Sequence, residues 1–281
     1  MVKEKAYAKI NLFLDVLSKR EDNFHNLETV MAPIEFHDTL VFEKTSRDSI
    51  EIISNVTITE KPQDNLVYQV AEFMLKEYGI NRGVKITIDK QIPIAAGLAG
   101  GSADAAATLR GLNKLFKLKL SLQELEKLGE QFGSDVPYCV YNKLCIARGK
   151  GEQLFFLKNA LKCPVLIIVP HFKVSTKEVY HSVKMDEVPI QKITRMSNAI
   201  YNQNYELMTK ELYNALEPFA FKLFPDLQKL KEDIMRFSLD GVLMSGSGPA
   251  IFIFHKNKKD LLEIQNAFTG KNTVILTKIK A

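Results

Sequence analysis

The chain has no tryptophan and only three cysteines among its 281 residues. Cys139, Cys145 and Cys163 form no C-x-x-C pair and are odd in number. That argues against a disulfide framework, and no histidine lies at a spacing that would complete a zinc site. Reduced core cysteines in a cytoplasmic protein are the expectation. No apolar run approaches the length needed to span a bilayer, and Met1 to Lys5 lacks the apolar segment of a secretory leader, so no membrane partner is expected. Basic residues never run beyond pairs such as Lys258-Lys259, and the net charge is only +5. So dilute an excess suits anionic small substrates and does not argue for nucleic acid. No Gly-Lys-Ser/Thr follows the main glycine cluster, and no G-x-G-x-x-G occurs, which removes the Walker A and dinucleotide fingerprints. Internal repeats and low-complexity segments are absent too.

What is present is a chain long enough for one large domain or two ordinary ones, 46% hydrophobic and 25% charged, as globular proteins are. The most informative stretch runs from Pro93 to Thr108, with Gly97, Gly100 and Gly101 inside five residues. Val84, Ile86 and Ile88 alternate ahead of it as in a strand, and Ala105, Leu109, Leu112 and Phe116 follow at helical spacing. Strand, glycine loop and helix together can aim backbone N–H groups and a helix N-terminus at an anion. Ser102 is placed to cap that helix and to offer a hydroxyl to phosphate. The competing reading is a flexible turn into a capped helix, and the glycines alone do not decide.

Between Lys5 and Leu17, Ile10, Leu12, Leu14 and Val16 fall on one strand face and Lys9, Asn11, Phe13 and Asp15 on the other. By pattern alone the second face is a solvent-facing edge. Phe24-His25 ends a polar turn, where a histidine reads first as a surface residue. Leu27 to Phe42 and Ile50 to Ile58 read as strands. Asp64 is placed to cap a helix over 65–78, and Ser121-Leu-Gln-Glu124 is a capping box. Asp135 lies between a helix stop at Gly133 and an apolar run, where it caps the next helix, acts as an acid, or does both; Pro137 suits that helix's first turn. Arg148 to Gly151 reads as a hairpin or linker. Later come an apolar strand at 165–169, helices at 204–216 and 225–237, and strands at 242–244 and 250–254 around a second glycine run, Ser245 to Gly248. A helix at 260–268 and a strand at 273–279 finish the chain. The pattern is α+β in two halves, 1–155 and 156–281, each holding one glycine loop.

Three of these stretches, in order, resemble the GHMP small-molecule kinases: Ala6 to Leu12, Pro93 to Ala107, and Leu243 to Ala250. The resemblance spans nearly the whole chain. It implies an N-terminal ATP-binding domain that is ribosomal-protein-S5-domain-2-like, and a C-terminal ferredoxin-like α/β domain. Phe24 to Glu28, Gly97 to Asp104 and Gly133 to Pro137 are most similar to the members that act on a cytidine diphosphate conjugate. ATP-dependent phosphorylation of a hydroxyl on its methylerythritol part is implied, with Mg²⁺ accompanying ATP and a monomer or homodimer as the assembly. Another GHMP kinase acting on mevalonate, homoserine or a sugar, or a nucleic-acid-binding module on the same scaffold, are the alternatives.

The resemblance carries over residue by residue. Lys9 and Asp135 are implied as catalytic, Lys9 lying beside Asp135 and neutralising the γ-phosphate. Pro93, Gly97, Leu98 and Ala99, then Gly100, Gly101, Ser102 and Ala103, would hold the ATP phosphates, and Asn65 would read adenine. Asn11 would bond the substrate and His25 the cytosine, with Tyr180 and Phe24 covering the ring faces. Thr176, Gly246, Ser247 and Gly248 complete the implied substrate contacts; metal ligands are not assigned. The family's usual Gly-Tyr-His is here Asn23-Phe24-His25. Phenylalanine keeps the stacking face without the hydroxyl, and asparagine is the best substitute for glycine if the turn needs positive φ. Ala95, Ala96 and Ala99 stand where some members have glycine.

Overall fold

The computed structural model describes residues 1–158 and 162–280. Two long strands begin the chain, β1 (Val2–Lys19) and β2 (His25–Lys44), followed by β3 (Ile50–Ser54), α1 (Leu66–Glu77) and β4 (Val84–Asp89). Then come α2 (Gly100–Phe116), α3 (Leu122–Gly129), α4 (Val136–Tyr141), β5 (Cys145–Gly149) and β6 (Gln153–Phe156). The remainder is β7 (Pro164–Pro170), α5 (Thr176–Ser182), α6 (Ile193–Tyr201), α7 (Tyr205–Lys210), β8 (Tyr213–Asn214) and α8 (Glu217–Leu223). It ends with α9 (Pro225–Ile234), β9 (Gly241–Met244), β10 (Ile251–Phe254), α10 (Lys258–Phe268) and β11 (Asn272–Lys278). Among the described residues no helix is long and apolar enough to cross a membrane.

The chain divides into two compact units: 1–8, 36–94 and 99–142 form the first, and 9–35, 95–98 and 143–281 the second. In the first, β4 pairs antiparallel with residues 39–44 of β2 and parallel with β3, and α1 to α4 pack together. Arg110 ties α2 to both neighbours, donating to Glu4 at 3.0 Å and to the Cys139 carbonyl of α4 at 2.7 Å. In the second unit, β11, β7, β10 and β9 form an antiparallel sheet in that order. Its inner face, with Leu166, Ile168, Ile251 and Ile253, joins Val179, Leu227, Leu261 and Ile264 in one apolar cluster. The unbroken apolar run of β7 marks a strand covered on both faces.

Several sequence expectations need correcting. Both faces of β1 are buried between residues 8 and 16, so Lys9 and Asn11 face the interior, not a wet edge. Strand β3 stops at Ser54, short of Ile58. Asn65, not Asp64, caps α1, its side chain accepting from Val67 N–H at 2.9 Å. Ser102 does not cap α2; it lies inside the helix, whose N-cap is Ala99 at φ 58°. The expected helix over 204–216 breaks after Lys210 into a two-residue strand and then α8. The Ser121 capping box is present, and Asn23 adopts φ 64° in its turn. Arg148 to Gly151 is a hairpin, with Arg148 opposite Gln153.

Candidate active site

Parts of the three implied motifs meet in the second unit. Lys9 Nζ donates to Asn11 Oδ1 at 2.8 Å, and Asn11 Nδ2 donates to Thr29 Oγ1 at 2.9 Å. Thr29 in turn donates to the Phe13 carbonyl at 2.6 Å. This relay fixes which end of the Asn11 amide faces the lysine. The Lys9 N–H donates to the Leu98 carbonyl at 3.1 Å, which brings the first half of the central loop to β1.

The second glycine run lies on that same half-loop. Ser245 Oγ donates to the Gly97 carbonyl at 3.0 Å and Ala250 N–H to the Ala96 carbonyl at 3.1 Å. A Cβ on Gly97 would stand 2.3 Å from the Ser245 carbonyl oxygen, and φ there is +76°. No other residue fits that spot without shifting backbone. Gly246, at φ +57°, would put a Cβ 3.4 Å from Asn11 Oδ1 and 3.7 Å from Lys9 Nζ. The first part of the central loop therefore packs on the C-terminal one.

Around these, Thr176 and Ser247 share a hydrogen bond of 2.8 Å, and Thr176 begins α5, which also carries Tyr180. The Tyr180 ring lies 5.6 Å from that of His25, tilted by 30°. His25 is buried rather than at the surface. Burial first, then the electrostatic influence of Lys19 and His181, lowers its pKa from the usual 6.5, so the imidazole is neutral at pH 7 and both accepts and donates. Phe24 is half exposed, with Lys150 Nζ 5.2 Å from its ring centroid.

The remaining implied residues belong to the first unit. Pro93 follows β4. Ala103 N–H makes the first bond of α2, to the Ala99 carbonyl at 2.9 Å. The N–H groups of Gly100, Gly101 and Ser102 precede it and have no intrahelical acceptor, which is the usual basis of anion binding at a helix start. Positive φ at Ala95, Gly97 and Ala99 alternates along the loop, the backbone rhythm that turns successive N–H groups inward. Asn65 serves as the cap of α1, and Asp135 stands at the N-cap position of α4 without bonding that helix's N–H groups through its side chain. Gly133, at φ 153°, and Pro137 shape the turn that presents it.

Two supporting residues escaped the sequence reading. Thr29 anchors Asn11 from β2, and Asn214 donates to the Met244 and Gly246 carbonyls, each at 2.8 Å. Asn214 was hidden because its segment reads as helix; two hydrophobic residues after it, Ala215 and Leu216, continue that false period. Asn214 lies 30 and 32 positions from the carbonyls it holds, so no local pattern pointed to it.

Comparison with known proteins points to one family. The family model described as GHMP kinases N terminal domain matches residues 65–143, and that described as GHMP kinases C terminal matches residues 196–272. A putative 4-diphosphocytidyl-2-C-methyl-D-erythritol kinase of Staphylococcus epidermidis is 40% identical over 270 residues, which is 96% of both chains. The 4-diphosphocytidyl-2-C-methyl-D-erythritol kinase of a Geobacillus species is 44% identical over 266 residues, 95% of this chain and 92% of its own. A crystal structure of 4-(cytidine 5'-diphospho)-2C-methyl-D-erythritol kinase superposes with a TM-score of 0.86 at 31% identity, covering all of both chains. With its three motifs in order and relatives this similar along almost its whole length, the chain belongs to the GHMP kinase family.

Proposed function

We propose that this protein transfers the γ-phosphoryl group of ATP to a hydroxyl on the methylerythritol part of 4-diphosphocytidyl-2-C-methyl-D-erythritol. The observation that carries the reading is the meeting of Lys9, Asn11 and Gly246 with the Gly97 half-loop, in a chain whose relatives at 40–44% identity bear that kinase's name. The two stretches 1–155 and 156–281 are taken as its ATP-binding and C-terminal domains.

Phosphoryl transfer needs positioning and charge neutralisation more than covalent chemistry. The turn from Gly97 to Ala103, entered through Pro93, holds the phosphates on its N–H groups, with Leu98 and Ala99 setting its path and the Ser102 hydroxyl assisting. Asn65 reads the adenine. The acceptor hydroxyl attacks the γ-phosphorus, the bond to the bridging oxygen of ADP breaks, and Asp135 orients the hydroxyl and takes its proton. Lys9 offsets charge gathering on the transferred group. Asn11 and the Gly246–Ser247–Gly248 run, with Thr176, hold the acceptor, while neutral His25 reads the cytosine edge between Phe24 and Tyr180. Mg²⁺ neutralises phosphate charge when bound. Among the described residues no three or more His, Cys, Asp or Glu side chains are grouped to hold a metal alone, and Mg²⁺ is typically held by phosphate oxygens with one or two carboxylates.

Presenting the purified protein with ATP and a panel of acceptors tests the reading. Turnover on the cytidyl conjugate is expected; turnover on mevalonate, homoserine or a sugar, with none on the conjugate, overturns it.

A further inference from the structure

Beneath the start of α2 lies a cluster that the phosphoryl-transfer reading leaves unused. Asp38 of β2, Lys90 just past β4 and Asp104 in α2 are all buried. Lys90 Nζ donates to Asp38 Oδ2 and to Asp104 Oδ2, each at 2.6 Å. The other Asp38 oxygen accepts from the N–H groups of Gln91 at 2.6 Å and Ile92 at 2.7 Å. Asn55 clasps the Lys90 backbone, accepting from its N–H at 2.7 Å and donating to its carbonyl at 3.1 Å. Residues 90–92 are thus held from two sides and form a floor under the helix. A Cβ on Gly100 would stand 2.9 Å from Ile92 Cγ2 and 3.1 Å from Lys90 Nζ. The second Asp104 oxygen has no hydrogen-bond partner among the described residues.

Taking an ammonium and two carboxyl groups out of water is costly, and apolar side chains of similar volume often stabilise as well. Such a cluster is better at fixing one arrangement than at adding stability. What this one fixes is the place where α2 begins. We propose that Asp104 and Asp38, acting through Lys90, are positioning residues that hold the first turn of α2 on segment 90–92, so that the N–H groups of Gly100, Gly101 and Ser102 converge on the phosphates of the nucleotide. The proposal rests on the reading of that turn as the phosphate grip.

The test compares Asp104→Ala and Asp104→Asn in the full chain, by steady-state kinetics, thermal melting and amide hydrogen exchange. Removing the acceptor should raise KM for ATP about tenfold, the scale of one lost hydrogen bond to a charged group, while KM for the acceptor stays within about twofold. Asparagine keeps an oxygen facing Lys90 and should return KM for ATP to within about threefold. A folded Asp104→Ala protein with unchanged KM for ATP, or a rise shared equally by both substrates, overturns the proposal. Should Asp104→Ala fail to fold, Asp104→Asn decides: its weaker hold on Lys90 should speed exchange at the amides of residues 100–103 by about threefold or more, and unchanged exchange overturns the proposal. Protection of those amides by a non-hydrolysable ATP analogue in the unaltered protein tests the underlying reading separately. Protection there together with unaffected Asp104 variants sinks only the proposal; no protection there sinks the reading and the proposal with it.

Discussion

Gly97→Ala should be among the most damaging single methyl groups that can be added to this protein. The new Cβ would stand 2.3 Å from the Ser245 carbonyl oxygen and 2.9 Å from that of Gly248, at a φ of +76°. Left-handed backbone costs an alanine about 1–2 kcal/mol. Relieving the overlap by shifting two backbone segments adds roughly 1–3 kcal/mol, the usual range for overpacking. The shift also strains the bonds from Ser245 Oγ and Ala250 N–H to the half-loop, at about 0.5–1.5 kcal/mol each. Together these come to roughly 3–8 kcal/mol, a large part of an ordinary folding stability. At about 2–4 °C per kcal/mol for a chain of this size class, the melting temperature should fall on the order of 10 °C. Turnover should fall too, because the same movement displaces the Leu98 carbonyl that Lys9 N–H bonds. Ala99→Gly is the control, since Ala99 sits at φ 58°. Relief of about 1–2 kcal/mol there is offset by roughly 0.5–1 kcal/mol of added chain entropy, leaving a shift near zero or slightly stabilising. Thermal melting and steady-state kinetics on both variants give the answer. A Gly97→Ala protein that melts within about 2 °C of the unaltered one with normal kinetics would refute the packing argument.

Asp135→Ala should lower kcat by roughly a hundredfold or more while ATP still binds; near-normal turnover would remove Asp135 from the mechanism. Thr29→Val, nearly equal in volume, removes the hydroxyl between Asn11 and the Phe13 carbonyl, and KM for the acceptor should rise about five- to tenfold as the Asn11 amide loosens. An unchanged KM would show that Asn11 needs no such anchor. Burial raises the Asp104 carboxyl from 3.8 to about 7, with Lys90 opposing the rise and Asp38 adding to it. The proton kept by the folded state contributes stability that is full below 3.8 and lost as pH rises through about 7. Asp104→Asn has no such titration, so its stability relative to the unaltered protein should climb as pH rises over that window. Urea midpoints whose difference stays constant with pH would contradict this.

Local chemistry was legible wherever one residue type dictates one conformation. The Ser121 box, Asn23 in a turn of positive φ, the alanine-rich α2 and the short strands around Ser245 to Gly248 follow from neighbours within four or five positions. The motifs that mark the family were legible for the same reason, since each is a continuous run. Reading failed where a distant segment decides. Lys9 and Asn11 alternate as an edge face would, yet both are buried, because burial depends on what packs above a strand and not on its own period. The 204–216 stretch has helical spacing, but residues 213 and 214 pair with Phe13 and Leu14, and that tertiary ladder outweighs a weak helical preference.

By itself the sequence determined most of the element types, the three motifs and the glycine positions, since these are consequences of side-chain shape and spacing along the chain. Only the tertiary structure decided that the Gly97 half-loop lies on Ser245 to Gly248 and that Lys9 reaches Asn11 against Gly246. It also decided that Lys90 sits between Asp38 and Asp104. Apart from the Lys9–Asn11 bond, these hydrogen bonds join residues from 14 to 148 positions apart, and hydrogen bonds at such separations are chosen by how strands and helices stack, which no local pattern encodes.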